Sequence, residues 1–404
     1  MRSLFPLILL LPVALIVSQA ADDSSPREIL GHATIHGAKK SSTPNPIQLR
    51  APWGKGRDWN AKPLKFAVVL IEFSDVKHKN THDVKFYETM LFSRGEYKKT
   101  PSGQPVYGSV NDWYHDQSLG RFGITGKVFD WVAVEDAFET VRNLKGKEAR
   151  ERCTIRAMEE LKAREGLKTL DDFDSWLFIH AGPIVGPPGN ILWSHRSTLL
   201  GKSYVITGEI ERNGVLCHEF GHTLGLPDLY GKKDVRESIG PWCSMSSGYR
   251  GSSPRSFCVW SKTRIGWCEP TVIDAATPQR LALRPIQRNP NDAFVIPLTK
   301  DASEYLLLEN RDTKGCDAES QAGLFIWRIT RTLDGDGKDR HKLKLASPAD
   351  SGGKSLASRT VTWPAKNATE FVVKPDDGKQ FSAAIRNIRR EGDLVLFEIG
   401  TTLK

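Results

Sequence analysis

"CHEFGHTLGLPDLYG", Cys217 to Gly231, sets two histidines four residues apart around a glutamate and closes on a glycine, a proline and an aspartate. From Val215 to Leu224 the stretch suits a helix. Leu216, Phe220 and Leu224 then share one face, while His218 and His222 share another, one turn apart, so both imidazoles reach one ion. Glu219 stands beside them without sharing their direction, as suits a base that touches water on the ion rather than the ion itself. Gly225 can break the helix and turn the chain, and Asp228, ten residues after His218, can return a carboxylate to the same ion. That makes three protein ligands with one position open. Burying His, Glu and Asp together without a metal or partners would be costly, so the stretch reads as a metal site and not as an ordinary buried helix.

Upstream, "FAVVLIEFSD", Phe66 to Asp75, is an apolar run ended by polar residues and predicts a buried strand. "FGITGKVFDWVAV", Phe122 to Val134, predicts one or two more, and "SWLFIHAG" another buried one. Between them "KEARERCTIRAMEELKARE" repeats Ala149, Cys153, Ala157 and Leu161 at helical spacing until Gly166 ends it. After about Pro270 come short apolar segments, "AFVIPL", "EYLLLEN", "GLFIWRI" and "DLVLFEIG", separated by Asp, Gly, Pro and Lys. The expectation is an α+β fold: a catalytic domain with a mixed β-sheet and an active-site helix over residues 65–274, then a β-rich C-terminal domain over 275–404. No period of 20 to 50 residues repeats, which disfavours solenoids and propellers.

The chain has 404 residues, 39% of them hydrophobic, enough for roughly two to three domains at about 150 residues each. Net charge is +9, but there is no run of five or six like charges and no basic stripe interleaved with aromatics, so no nucleic-acid partner is expected. At the start, "MRSLFPLILLLPVALIVSQAADD" pairs Arg2 with an apolar run from Leu4 to Val17 and a small-residue pattern ending at Ala20. This predicts a signal peptide over residues 1–20, a secreted, extracellular or periplasmic location, and no stable membrane insertion after cleavage. The run is shorter than the roughly 20 residues of a spanning helix. Residues 21–64 are rich in Ser, Pro, Gly and Lys and read as a tail or short pro-segment; they hold no cysteine, so no thiol-based latency switch is expected. Six cysteines remain, with Cys258 and Cys268 close enough to bridge, Cys217 and Cys243 flanking the motif, and buried free thiols as the alternative. "LDGDGKD", Leu333 to Asp339, fails the calcium-loop pattern and reads as a solvated acidic turn, and Asn367 opens a glycosylation sequon.

"HEFGHTLGLPDLYG" resembles the zinc-binding motif of the immune inhibitor A family of secreted metallopeptidases, a metzincin-like group. The resemblance continues through "LIEFSD", "GSVNDWYHDQSLGRFGITGKVFDWV", "IHAG", "ILWSHR", "CSMSSGYRG" and "VWSKTRIGWCEP". It implies Zn2+ on His218, His222 and Asp228, Glu219 as the catalytic base, and Met245 in a methionine turn beneath the metal. It also implies protein or peptide substrates. Gly231 departs from the pattern, standing where an aspartate is expected. Tyr249 is a possible oxyanion or substrate contact, against the plainer reading of a packing tyrosine, and His180 and His195 read as structural.

The function expected is therefore that of a secreted zinc endopeptidase, hydrolysing peptide bonds by metal-activated water with Glu219 as general base. Three rivals stand beside it. A facial triad for non-haem iron would give Glu219 no task. A gluzincin-type site would take Glu237 as third ligand, and a binding or adhesive protein would carry an idle site.

Overall fold

Alternation along the strands decides the layering. The apolar run at Phe66 becomes β1 (Leu64–Glu72), whose Phe66, Val68 and Leu70 enter one core and whose Ala67, Val69 and Ile71 enter another. A strand buried on both faces reads as a continuous apolar run, and parallel sheets are the usual place for one. β1 pairs in parallel with β2 (Ile124–Ala133) and β3 (Ser175–His180), and β3 with β5 (Lys202–Gly208). Only the edge strand β4 (His195–Leu199) runs antiparallel, giving the order β2-β1-β3-β5-β4. The computed structural model describes residues 38–47, 62–168, 170–230, 239–250, 253–333, 339–346, 360–373 and 383–400. The expected signal peptide, Gly231 and Glu237 lie outside these. Among the described residues no helix is long and apolar enough to cross a membrane.

Short helices cover both faces of this sheet. α1 (Val84–Phe92), capped by Asp83, and α2 (Val110–Gln117), opened by a Ser109/Asp112 capping box, lie on the first face. The second face carries α3 (Phe138–Asn143), α4 (Gly146–Arg150) and α5 (Arg156–Glu165), the last two joined by a π-helical turn, Glu151–Ile155. That turn explains the spacing read from sequence. Four-residue steps from Ala149 to Leu161 would drift by about 120° around a regular helix, and the wider turn keeps all four small or apolar side chains in the core. Gly166, at φ 64°, ends the helix as expected.

Beyond Thr271 the described chain is almost entirely β. One sheet takes the order β11-β10-β9-β8-β6, from β6 (Thr271–Val272), β8 (Ala293–Pro297), β9 (Glu304–Arg311), β10 (Gly323–Leu333) and β11 (Asp339–Leu345). The other is β12-β13-β14-β7, from β7 (Gln279–Leu283), β12 (Phe371–Val373), β13 (Ala383–Glu391) and β14 (Leu394–Gly400). Leu306, Leu308, Leu324 and Ile326 face the partner sheet; the alternate residues Tyr305, Leu307, Phe325 and Trp327 enter the same core as β1 and the HExxH helix. The first sheet of the β-rich part is thus buried on both faces, and the two parts share a core. Residues 334–338 of the acidic turn, between paired β10 and β11, lie outside the described residues.

Two expectations are refined. Part of the segment read as a tail is tied down: the Ser41 amide donates to Val272 O at 2.9 Å, the Asp274 amide to Lys39 O at 3.1 Å, and Ile47 is buried. A single bridge leaves no period for sequence reading to detect. All six cysteines are buried free thiols, so neither suggested disulfide forms.

Candidate metal centre

The HExxH stretch folds into α6 (Gly214–Thr223), fixed to the sheet by Phe220, which stacks on Phe66 of β1 with centroids 4.3 Å apart. Tyr114 of α2 donates its hydroxyl to Cys217 O at 2.7 Å. Two glycines are needed for close approach. A Cβ on Gly214 would lie 2.1 Å from Tyr249 O, and one on Gly221, inside the motif, 2.4 Å from Met245 Sδ. Met245, fully buried, therefore packs directly beneath the turn that carries both histidines.

The end of α6 builds the rest of the site. The Gly225 amide donates to His222 O at 2.9 Å and the Leu226 amide to Gly221 O at 3.0 Å, with Gly225 at φ 88°. This pairing is a Schellman cap, which a side chain at Gly225 would strain. It turns the chain so that Leu226 O accepts the Nδ1 proton of His222 at 2.8 Å. Ser244 O does the same for His218 at 2.8 Å, and Leu229 N donates to Met245 O at 2.8 Å, tying the aspartate loop to the methionine segment.

A carbonyl oxygen only accepts, so each Nδ1 carries the proton and each neutral Nε2 presents a lone pair. The two Nε2 atoms lie 3.1 Å apart, and Asp228 Oδ1 is 3.2 Å from each. Three electron-rich atoms facing one another at these distances repel unless a cation lies among them. Ligands at about 2.0–2.1 Å from a tetrahedral ion stand about 3.3 Å apart, so the triangle fits such an ion with a fourth position open. Among the described residues this is the one group of His, Cys, Asp and Glu so arranged.

Charge follows this geometry. Where a proton takes the place of an ion among these atoms, burial opposes ionisation of Asp228, yet the two imidazoles, as hydrogen-bond donors, hold its carboxyl well below the usual range. Burial also works against a charged His222, but Asp228 outweighs it and raises that imidazole's pKa. Glu219 is buried; desolvation lifts its pKa above the ordinary carboxyl value, against the pull of both histidines and the facing Arg196 backbone on β4.

Tyr249 lies with its ring 4.7 Å from that of His218, and its hydroxyl accepts from Arg250 Nε at 3.2 Å. Tyr230 was not singled out from sequence. Its ring stacks on His218 at 5.9 Å, and burial and the neighbouring Asp228 carboxylate raise its phenol pKa. His180 and His195 stay out of the centre: His180 is buried against Ala181 O and Leu192 O, and His195 Nδ1 lies 2.6 Å from Trp193 O.

A helix presenting two imidazoles and a carboxylate, met by a returning aspartate beside the edge of a mostly parallel sheet, is the donor arrangement that a metallopeptidase centre requires. The chain belongs to the immune inhibitor A peptidase M6 family, whose catalytic-domain profile it matches over residues 56–191 and 175–264, together just over half of its length. It is 25% identical over 276 residues to immune inhibitor A of Bacillus thuringiensis subsp. alesti, covering 52% of this chain and 40% of that protein. It is 23% identical over 270 residues to the pre-pro-metalloprotease PrtV of Vibrio cholerae serotype O1, covering 49% of this chain and 29% of that one. The matched region thus spans less than half of either relative. Family membership implies a metal cofactor.

Proposed function

We propose that the chain is a secreted zinc-dependent endopeptidase that hydrolyses peptide bonds of proteins. The observation that carries this reading is the convergence of three lone-pair donors, two with tautomers fixed by backbone carbonyls, beside a buried glutamate that does not join them. His218, His222 and Asp228 would hold the ion. Zinc bound there supplies Lewis acidity, bringing the pKa of a water in its open position toward about 7 and polarising a substrate carbonyl. Glu219 accepts a proton from the attacking water and delivers it to the leaving amine, and the desolvation that raises its pKa suits it to hold that proton in between. Tyr249, whose ring lies beside that of His218, would donate its hydroxyl hydrogen to the developing oxyanion. The proximity of Asp228 to both imidazoles supports it over Glu237 as third ligand, and the position of Glu219 supports hydrolysis over iron oxygenation. The stretch from Arg2 to Ala20 supports export.

The test is metal analysis of the dialysed protein together with digestion of an unbiased peptide library, for the wild type and Glu219→Gln. About one zinc per chain is expected in both. Hydrolysis in the variant should drop by about a hundredfold or more. A wild type that binds no zinc or cuts no peptide overturns the reading, and a variant that loses zinc along with activity overturns the role of Glu219.

A further inference from the structure

Away from the metal centre, a cavity of about 280 Å³ opens between the two parts of the molecule. Its walls come from the end of α2, from α7 (Val259–Arg264), and from the segments that follow β7 and β9. Lys262 of α7 lines it and is only 3% exposed. Its ammonium has neither a hydrogen-bond nor an ion-pair partner among the described residues. Such a charge is costly to bury alone.

The other charges around the cavity do not supply the missing counter-ion. Asp312 is 2.8 Å from Arg288 and accepts from the Lys314 amide at 3.1 Å. Asp116 accepts the hydroxyl of Tyr107. Behind the wall, Asp317 accepts from Ser256 N at 3.0 Å and Gln287 Nε2 at 3.1 Å, and Glu309 is spent on Arg311 at 2.7 Å. None of these carboxylates is in contact with the buried ammonium, although Glu309 and Asp317 attract it through space from behind the wall. Exposed Lys314 adds positive charge on the cavity's outer side, where half-exposed Arg288 lies 2.8 Å from both Asp312 and Asp393.

We propose that this cavity is a binding site for a small oxyanion, a carboxylate or phosphate group, held by the Lys262 ammonium with Arg288 and Lys314 at its mouth. Desolvation holds the lysine amine below its ordinary pKa, and a bound anion opposes that shift by favouring the charged form. Because the walls come from both parts of the chain, the anion clamps them together and stabilises the folded state by mass action.

Inorganic phosphate and, separately, acetate are titrated into the full chain at ionic strength held constant with chloride, with thermal unfolding and titration calorimetry as readouts. Tm should rise with one of the two anions, which names the source, phosphate or carboxylate, and calorimetry should give one site per chain. Lys262→Met should weaken that binding at least about tenfold, the loss of one charge-assisted contact. If Lys262→Met does not fold, Lys314→Glu, at an exposed position, carries the same expectation by setting a carboxylate at the mouth. A Tm unmoved by either anion overturns the proposal. So does binding that the folded variants leave unchanged, as an anion resting on the metal centre would show.

Discussion

Asp228 is the residue on which the centre turns, because α6 alone offers only two donors. With Asp228→Ala, zinc affinity and activity should collapse together while the chain still folds; zinc retained at one equivalent after dialysis would remove the aspartate from the ligand set. Asp228→His should restore part of the binding, although an imidazole reaches further than a carboxylate. Around these side chains the backbone does much of the positioning. Ser244 O and Leu226 O choose the histidine tautomers, and Gly221 is glycine because Met245 leaves no room for a Cβ.

At the scale of elements, β3 ends in a histidine that makes stability depend on pH. Burial outweighs the carbonyls facing both ring nitrogens and keeps His180 below the ordinary imidazole range. The unfolded chain takes up a proton as pH falls through about 6.5, while the folded chain does not until its lower pKa is reached. This contribution is therefore full above about pH 6.5 and is lost on acidification, at up to about 1.4 kcal/mol per pH unit for one such group. His82, also buried, shifts the same way. Urea unfolding at pH 7.5 and 5.5 should show lower stability in acid, with a smaller difference for His180→Gln; an unchanged difference would exonerate His180. Much of this layer was legible in the sequence. β1, β3 and α6 announce themselves by composition and period, as do Gly166 and Gly225 as helix ends, and the convergence of His218, His222 and Asp228 beside Glu219 by type and spacing. What could not be read were contacts set by how segments meet: the acceptor carbonyls, Tyr230 against His218, and the bridge of Lys40 to Ile273. None of these leaves a periodic trace, because each depends on which surfaces meet and not on which residues follow one another.

Across the whole molecule, the β-rich part is continuous with the site. Arg311 at the end of β9, wholly buried, donates to Trp242 O at 2.8 Å and pairs with Glu309 at 2.7 Å, while Trp327 also donates to Glu309 at 2.8 Å. The guanidinium lies 4.8 Å from the centre of the Phe325 ring. Removing one partner leaves a buried charge alone, so Arg311→Met should cost about 3–5 kcal/mol in urea unfolding. Arg311→Met with Glu309→Leu should recover much of it, and equal losses in both would mean the pair's charge is not what matters. The bond to Trp242 also has a meaning in time. Trp242 opens the segment that supplies Ser244 O and Met245, yet the arginine that holds it comes much later in the chain. A polypeptide emerging from its N-terminus displays α6 with its two histidines well before the floor beneath it can be secured. On the proposed function, capture of the ion would then be a closing event of maturation, and a chain still being made would be spared a working protease of its own.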